Sequence, residues 1–133
     1  MNRSNEPTYA ILHLDGSPLF LEVFENFMSG ITLFEVNYET VLNTQEAFRW
    51  LEKEQFDLLI SALMLENDYD TTLGEDFIIK AAKRYPGLKI MALTASGKGA
   101  YKRLKEYVVH YETKAFRPSE LEKQMAKIIK APR

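Results

Sequence analysis

From Leu58 to Leu65 the chain is apolar at every position but Ser61, and this run constrains the fold more than any other feature. An unbroken apolar stretch of strand length suits a strand covered on both faces, as in parallel sheets with helices on either side. Leu88 to Ala95 reads the same way, and Tyr9 to Asp15 is a third short apolar run, ending in an acid before Gly16. Two other stretches differ. Phe34, Val36 and Tyr38 alternate with Glu35, Asn37 and Glu39, a period of two that leaves one face uncovered and predicts a sheet edge. Val108 to Lys114 alternates more weakly and predicts the second edge.

Helical signals fall between these runs. Ser17-Pro18 is an N-cap followed by proline at the first helical position, and Phe20, Val23, Phe24 and Phe27 then share one helical face before Gly30. Asn43 with Glu46 resembles a capping box and opens a helix carrying Ala47, Phe48 and Leu51. A polar loop from Glu66 to Thr72 leads to a helix from about Gly74 to Tyr85, stopped by Pro86-Gly87. A short basic helix is expected over Gly97 to Tyr107, and Leu121, Met125, Ile128 and Ile129 mark a last amphipathic helix. Strand and helix thus alternate five times. The fold expected is α/β: a flavodoxin-like three-layer sandwich with a five-stranded parallel sheet in order 2-1-3-4-5 and five helices. Residues 1–8 are expected to form a tail and residues 9–130 one domain.

Composition narrows the function classes. The sequence has no cysteine, which excludes disulfides, thiolate metal sites and a cysteine nucleophile. No apolar run approaches the roughly 20 residues of a membrane span, and the polar start, Met1 to Pro7, lacks the apolar stretch of a secretory signal, so a cytoplasmic location is expected. Charge is lopsided: Met1 to Asp76 holds 3 basic and 15 acidic residues, whereas Phe77 to Arg133 holds 14 basic and 4 acidic. A dipolar surface able to orient a protein partner accounts for this, and nucleic acid is disfavoured because the basic residues lack an interleaved aromatic platform.

In a sheet of this order the functional crevice lies beyond the carboxyl ends of the strands. The residues there are Asp15-Gly16-Ser17, Ala62 to Glu66, Thr94 to Gly97, and Tyr111 to Phe116. At these four places the sequence resembles the receiver domain of bacterial response regulators (CheY-like), from about Tyr9 to Ile129. The first-strand stretch is Ile11-Leu12-His13-Leu14-Asp15-Gly16-Ser17-Pro18. The third is Asp57 to Leu65, the fourth ends in Thr94, and the fifth carries Tyr111 followed by Lys114. The resemblance implies a signalling module rather than an enzyme. Its partners would be proteins (a histidine kinase, an output domain or a scaffold), with a possible homodimer through the fourth helix, fifth strand and fifth helix.

Departures from the family pattern bear on function. The position of the phosphoacceptor aspartate is Ala62, and the second first-strand acid, a direct magnesium ligand in the family, aligns with Gly16. A methyl group cannot attack a phosphodonor, and magnesium needs several hard oxygens, so neither metal nor cofactor is expected. Ala115 replaces the usual proline after the lysine. The resemblance therefore implies a degenerate pseudo-receiver with a vestigial pocket of Asp15, Gly16, Ala62, Thr94 and Lys114, and with Tyr111 as the switch aromatic. Lys114 is expected either to pair with Asp15 or to lie solvated at the crevice mouth. The candidate interaction face is Lys98, Lys102, Arg103, Lys105, Tyr107 and Glu112.

Two alternatives stay open. One is phosphorylation at a non-standard residue, Ser61 or an acid between Glu66 and Asp70. The other is a flavodoxin-like small-ligand enzyme, which the lack of a phosphate-cradling first loop disfavours. His13 reads as a satisfied core histidine, His110 as a surface one, and Trp50 as partly packed on the sheet edge.

Overall fold

The computed structural model describes residues 7–65, 72–94 and 101–132. Its elements in chain order are β1 (Thr8–Leu14), α1 (Pro18–Ser29), β2 (Glu35–Val41), α2 (Thr44–Lys53), β3 (Leu58–Ala62), α3 (Thr72–Arg84), β4 (Lys89–Thr94), α4 (Tyr101–Leu104), β5 (His110–Thr113) and α5 (Pro118–Lys130). All strand pairs are parallel and the order is β2-β1-β3-β4-β5, the arrangement the apolar runs predict. β3 is buried at every position, while edge strand β2 alternates.

Strand alternation sends side chains to two cores. Ile11, Leu58, Ile60, Met91 and Leu93 face Phe24 and Met28 of α1 and Leu121, Met125, Ile128 and Ile129 of α5. Leu12, Leu14, Leu59, Ile90 and Ala92 face Ala47 and Leu51 of α2, Phe77, Ile78 and Ala81 of α3, and Leu104 of α4. Helix starts follow the capping chemistry. Ser17 Oγ accepts from the Phe20 N–H at 3.2 Å, and Asn43 Oδ1 accepts from the Glu46 N–H at 2.9 Å. α5 is tied to the α1–β2 connection, where Glu122 accepts from the Thr32 and Leu33 N–H groups. Lys89 of β4 donates to the Ile128 carbonyl near the end of α5, where unsatisfied carbonyls favour a cation.

β3 is shorter than the apolar run suggests. It ends at Ala62, and Leu63 and Leu65 turn inward onto the α2–α3 core while Met64 is exposed. α3 starts earlier than expected, at Thr72, which puts Gly74 in its first turn. There the helix backbone presses on the chain leaving β3: a Cβ on Gly74 would lie 2.2 Å from the Leu63 carbonyl oxygen and 2.7 Å from its Cα. No side chain fits such a contact without moving main chain. Gly74→Ala is therefore expected to lower the free energy of unfolding by about 1–3 kcal/mol, the usual cost of overpacking, as read from urea unfolding curves. The basic fourth helix also differs. Tyr101–Leu104 is helical and is followed by a turn closed by the Tyr107 N–H on the Leu104 carbonyl at 2.8 Å; positions 97–100 lie outside the described residues.

Candidate functional site: the crevice at the strand ends

The parallel register brings the four predicted strand ends to one side of the sheet. Leu14 pairs with Ser61, Ala62 with Leu93, and Thr94 with Thr113. Asp15, Ala62, Thr94 and Lys114 consequently stand at the same end. The Lys114 N–H donates to the Thr94 carbonyl at 2.9 Å, and the Asp15 N–H donates to the Val41 carbonyl at 3.2 Å, so both side chains leave from fixed backbone.

Asp15 is only 1% exposed. Its Oδ1 accepts from the Ser17 N–H at 2.9 Å, and its Oδ2 lies 2.8 Å from Lys114 Nζ. The lysine reaches this position over the face of Phe20, its Nζ 4.6 Å from the ring centroid. A carboxylate this deep cannot be solvated, and the lysine cation opposite it supplies the compensating charge. Of the two arrangements open at the sequence level, the molecule adopts the pair.

Ala62 is 1% exposed and presents a methyl group to its surroundings. Thr94 is 4% exposed, and its Oγ1 is sealed from solvent with no hydrogen-bond partner among the described residues. The magnesium implied by the receiver resemblance does not fit this donor set. Both Asp15 oxygens are engaged, and Gly16 and Ala62 offer no side-chain oxygen. Ser61 is fully buried, and its hydroxyl donates to the carbonyl of Ala62 at 3.0 Å.

Next to the pair lies a polar contact that sequence reasoning missed. His13 is fully buried, with its Nδ1 2.6 Å from the Tyr38 hydroxyl. Its ring meets Phe24 edge-on at 4.7 Å and Phe20 at 6.1 Å. Nε2 has no partner among the described residues, so this core histidine is satisfied at one nitrogen only. Burial, with the nearby Lys114 cation, pushes its pKa from 6.5 down to about 3. Burial, with the negative charges of Glu25 and Asp15, pushes the Tyr38 phenol above its ordinary value. The contact follows from the register: Tyr38 opposes Ile11 in the β1–β2 pairing, and Ile11 shares a strand face with His13.

The candidate interaction residues spread over more than one surface. Lys102 and Lys105 are exposed on and just after α4, and Tyr107 and Tyr111 pack half-buried against the α2–α3–α4 core. Arg103 bridges to α3, with Nη1 3.0 Å from Glu75 Oε1 and Nη2 2.8 Å from Asp76 Oδ1. Those hydrogen bonds raise its already high pKa. Glu112 is opposite Leu93 in register, on the α5 side, and accepts from or pairs with His110 Nε2 at 2.9 Å. An acid two residues along the same strand face therefore partners His110, which is half-buried rather than fully exposed. Lys98 lies outside the described residues. Phe116, beyond the loop where Ala115 stands, packs edge-on against Phe24 at 5.4 Å and Phe27 at 5.0 Å. Trp50 is half-buried on Phe56 at 6.3 Å.

No protein-family model matches the chain, and no curated protein sequence matches it. Solved structures do. A response regulator from Thermotoga maritima superposes with a TM-score of 0.79 at 23% identity, over 94% of this chain and 100% of that one. The isolated REC domain of RcsB from Salmonella enterica serovar Typhimurium, studied in the presence of the phosphomimetic BeF3−, gives 0.77 at 20% identity over 96% and 92%. A CheY-like receiver domain protein from Methanospirillum hungatei JF-1 gives 0.75 at 20% identity over 92% and 94%. The fold is that of response-regulator receiver domains. Among the described residues no helix is long and apolar enough to cross a membrane.

Proposed function

We propose that this domain is a pseudo-receiver: a cytoplasmic signalling module of two-component type that binds protein partners without being phosphorylated, and that has no enzymatic activity of its own. One observation carries the reading. The end of the middle strand, where a receiver forms its acyl phosphate, holds the buried methyl of Ala62. The neighbouring Asp15 and Lys114 support it, since they already neutralise each other, and the lysine that would hold a phosphoryl group is occupied by the carboxylate. Phosphorylation at Ser61 is disfavoured, because that hydroxyl is fully buried and occupied by the Ala62 carbonyl. With no covalent switch, any change of state needs a ligand with unequal affinity for two conformations.

The partner is a kinase, an output domain or a scaffold, and the proposed docking face is centred on Lys102, Lys105 and Tyr107. Arg103 is better left out of a test of this face, because its bonds to Glu75 and Asp76 join α4 to α3. Capture of partners from the source cell is expected to fail for Lys102→Glu/Lys105→Glu while circular dichroism stays unchanged. An undiminished set of captured proteins would discard the face.

A further inference from the structure

At the end of the sheet opposite the crevice, Phe56 and Leu88 stand just before β3 and β4. The first residues of these strands, Leu58 and Lys89, are paired, so the two connections leading into them lie side by side. Between these connections and the last turns of α2 and α3 opens a cleft of about 470 Å³. Buried Leu51 and Phe56, with half-buried Tyr85 and Leu88, supply its apolar wall. Its charged residues balance, Glu52 and Glu54 against Lys53 and Arg84, so the cleft carries no net charge to draw an ion. Both cations are also engaged: Arg84 pairs with Glu52, and Lys53 Nζ lies 5.3 Å from the Trp50 ring centroid. A polar group without a match remains. The Tyr85 hydroxyl is closed to solvent and has no hydrogen-bond partner among the described residues. The Leu88 N–H donates to the Tyr85 carbonyl at 3.0 Å, so the phenol leaves from a fixed turn.

We infer that this cleft binds a small neutral aromatic molecule, its ring against Leu51, Phe56 and Leu88 and its hydroxyl or carbonyl group on the Tyr85 hydroxyl. A recess of this size with apolar walls and a single unmet polar group suits a compact ligand with an apolar body and one polar end. Phe56 and Tyr85 on the wall favour a flat ring, which meets them edge-on or offset. The unmet hydroxyl selects such a ligand over a plain hydrocarbon, because a buried polar group without a partner is a standing cost that the ligand's own polar group removes. An extended peptide is disfavoured, since the Arg84–Glu52 bridge joins α2 to α3 and bars passage along the seam between them. Arg84 is the movable part of the wall. Its guanidinium lies 5.8 Å from the Tyr85 ring centroid, and its bridge to Glu52 is exposed, so little holds it in place and it can swing aside to admit the ligand to the phenol. The site is separate from the crevice and from the α4 face, and it does not depend on whether position 62 can carry a phosphoryl group.

The probe is para-fluorophenol, compared with fluorobenzene, which lacks the hydroxyl, and with para-fluorobenzoate, which is anionic. Titration of the full chain followed by amide NMR is expected to give saturable shifts centred on residues 51–56 and 84–88. Affinity for para-fluorophenol should exceed that for either comparison compound by roughly fivefold, the worth of one neutral hydrogen bond. Tyr85→Phe removes only an unpartnered hydroxyl, so the variant should fold with undiminished stability while its preference for para-fluorophenol over fluorobenzene vanishes. Equal binding of the two neutral probes by the unaltered protein, or a preference that survives in Tyr85→Phe, would overturn the inference. So would tighter binding of para-fluorobenzoate, shifts centred on the strand-end crevice, or no shift up to the solubility of the probes.

Discussion

Replacing Lys114 by methionine is expected to lower the free energy of unfolding by about 3–5 kcal/mol near neutral pH, the cost of leaving a buried charge without its partner. Methionine retains most of the apolar stem that crosses Phe20, so the loss reports mainly on the ammonium group. The asymmetry of the pair sharpens the test. Asp15 is 1% exposed, whereas the Lys114 side chain keeps 27% of its surface in solvent. Removing the lysine strands the carboxylate; removing the carboxylate releases the lysine toward water. Asp15→Asn should therefore cost less than Lys114→Met, and adding Asp15→Asn to Lys114→Met should restore part of the stability. Denaturant unfolding of the three variants gives the coupling directly. Losses below about 1 kcal/mol for both single variants would class the pair with solvent-exposed ion pairs and contradict its account as a buried one.

The second large effect is a loss of stability in mild acid caused by His13. Its pKa is about 3 in the folded protein and 6.5 when exposed. Between those values the unfolded chain binds a proton that the native protein refuses, so stability rises with pH across the window and falls as pH drops below 6.5. The contribution lost is about 2 kcal/mol at pH 5 and approaches 4–5 kcal/mol near pH 3. His13→Phe keeps a ring against Phe20 and Phe24 but cannot titrate. The variant is expected to be less stable at pH 7, since the Tyr38 hydroxyl loses its partner, yet its unfolding free energy should vary less with pH between 5 and 6.5. Carboxylates titrate mostly below that interval, which makes it the clean window. Parallel curves for the two proteins would mean that His13 takes up its proton without unfolding.

The two largest effects come from residues the sequence revealed to different degrees. The sheet was legible because each strand's burial is written in its own residues: unbroken for Leu58 to Ala62, alternating for Glu35 to Val41. Asp15 and Lys114 were legible as a candidate pair because a parallel sheet of known order places all strand ends together. Burial of Asp15 was not, since it depends on how the turn through Ser17 folds the carboxylate back under Lys114. The His13–Tyr38 contact required the register between β1 and β2, which no local pattern specifies. Gly74 escaped for a similar reason: its meaning lies in the Leu63 main chain eleven residues earlier, not in its own helix. Arg103 looked like one cation among several on a basic helix until α3 was packed beside it. The end of β3 was misjudged because an apolar run records burial, and Leu63 and Leu65 remain buried after the strand has ended.

Everything proposed for signalling depends on the side chain at position 62 being unable to carry a phosphoryl group, with no neighbour taking its place. The direct measurement is intact mass after incubation with magnesium and a small-molecule phosphodonor such as acetyl phosphate, alongside an ordinary receiver domain as positive control. The mass of this protein should remain that of the unmodified chain while the control gains one phosphoryl group. A stoichiometric phosphoryl adduct on this chain, at any residue, would contradict the account.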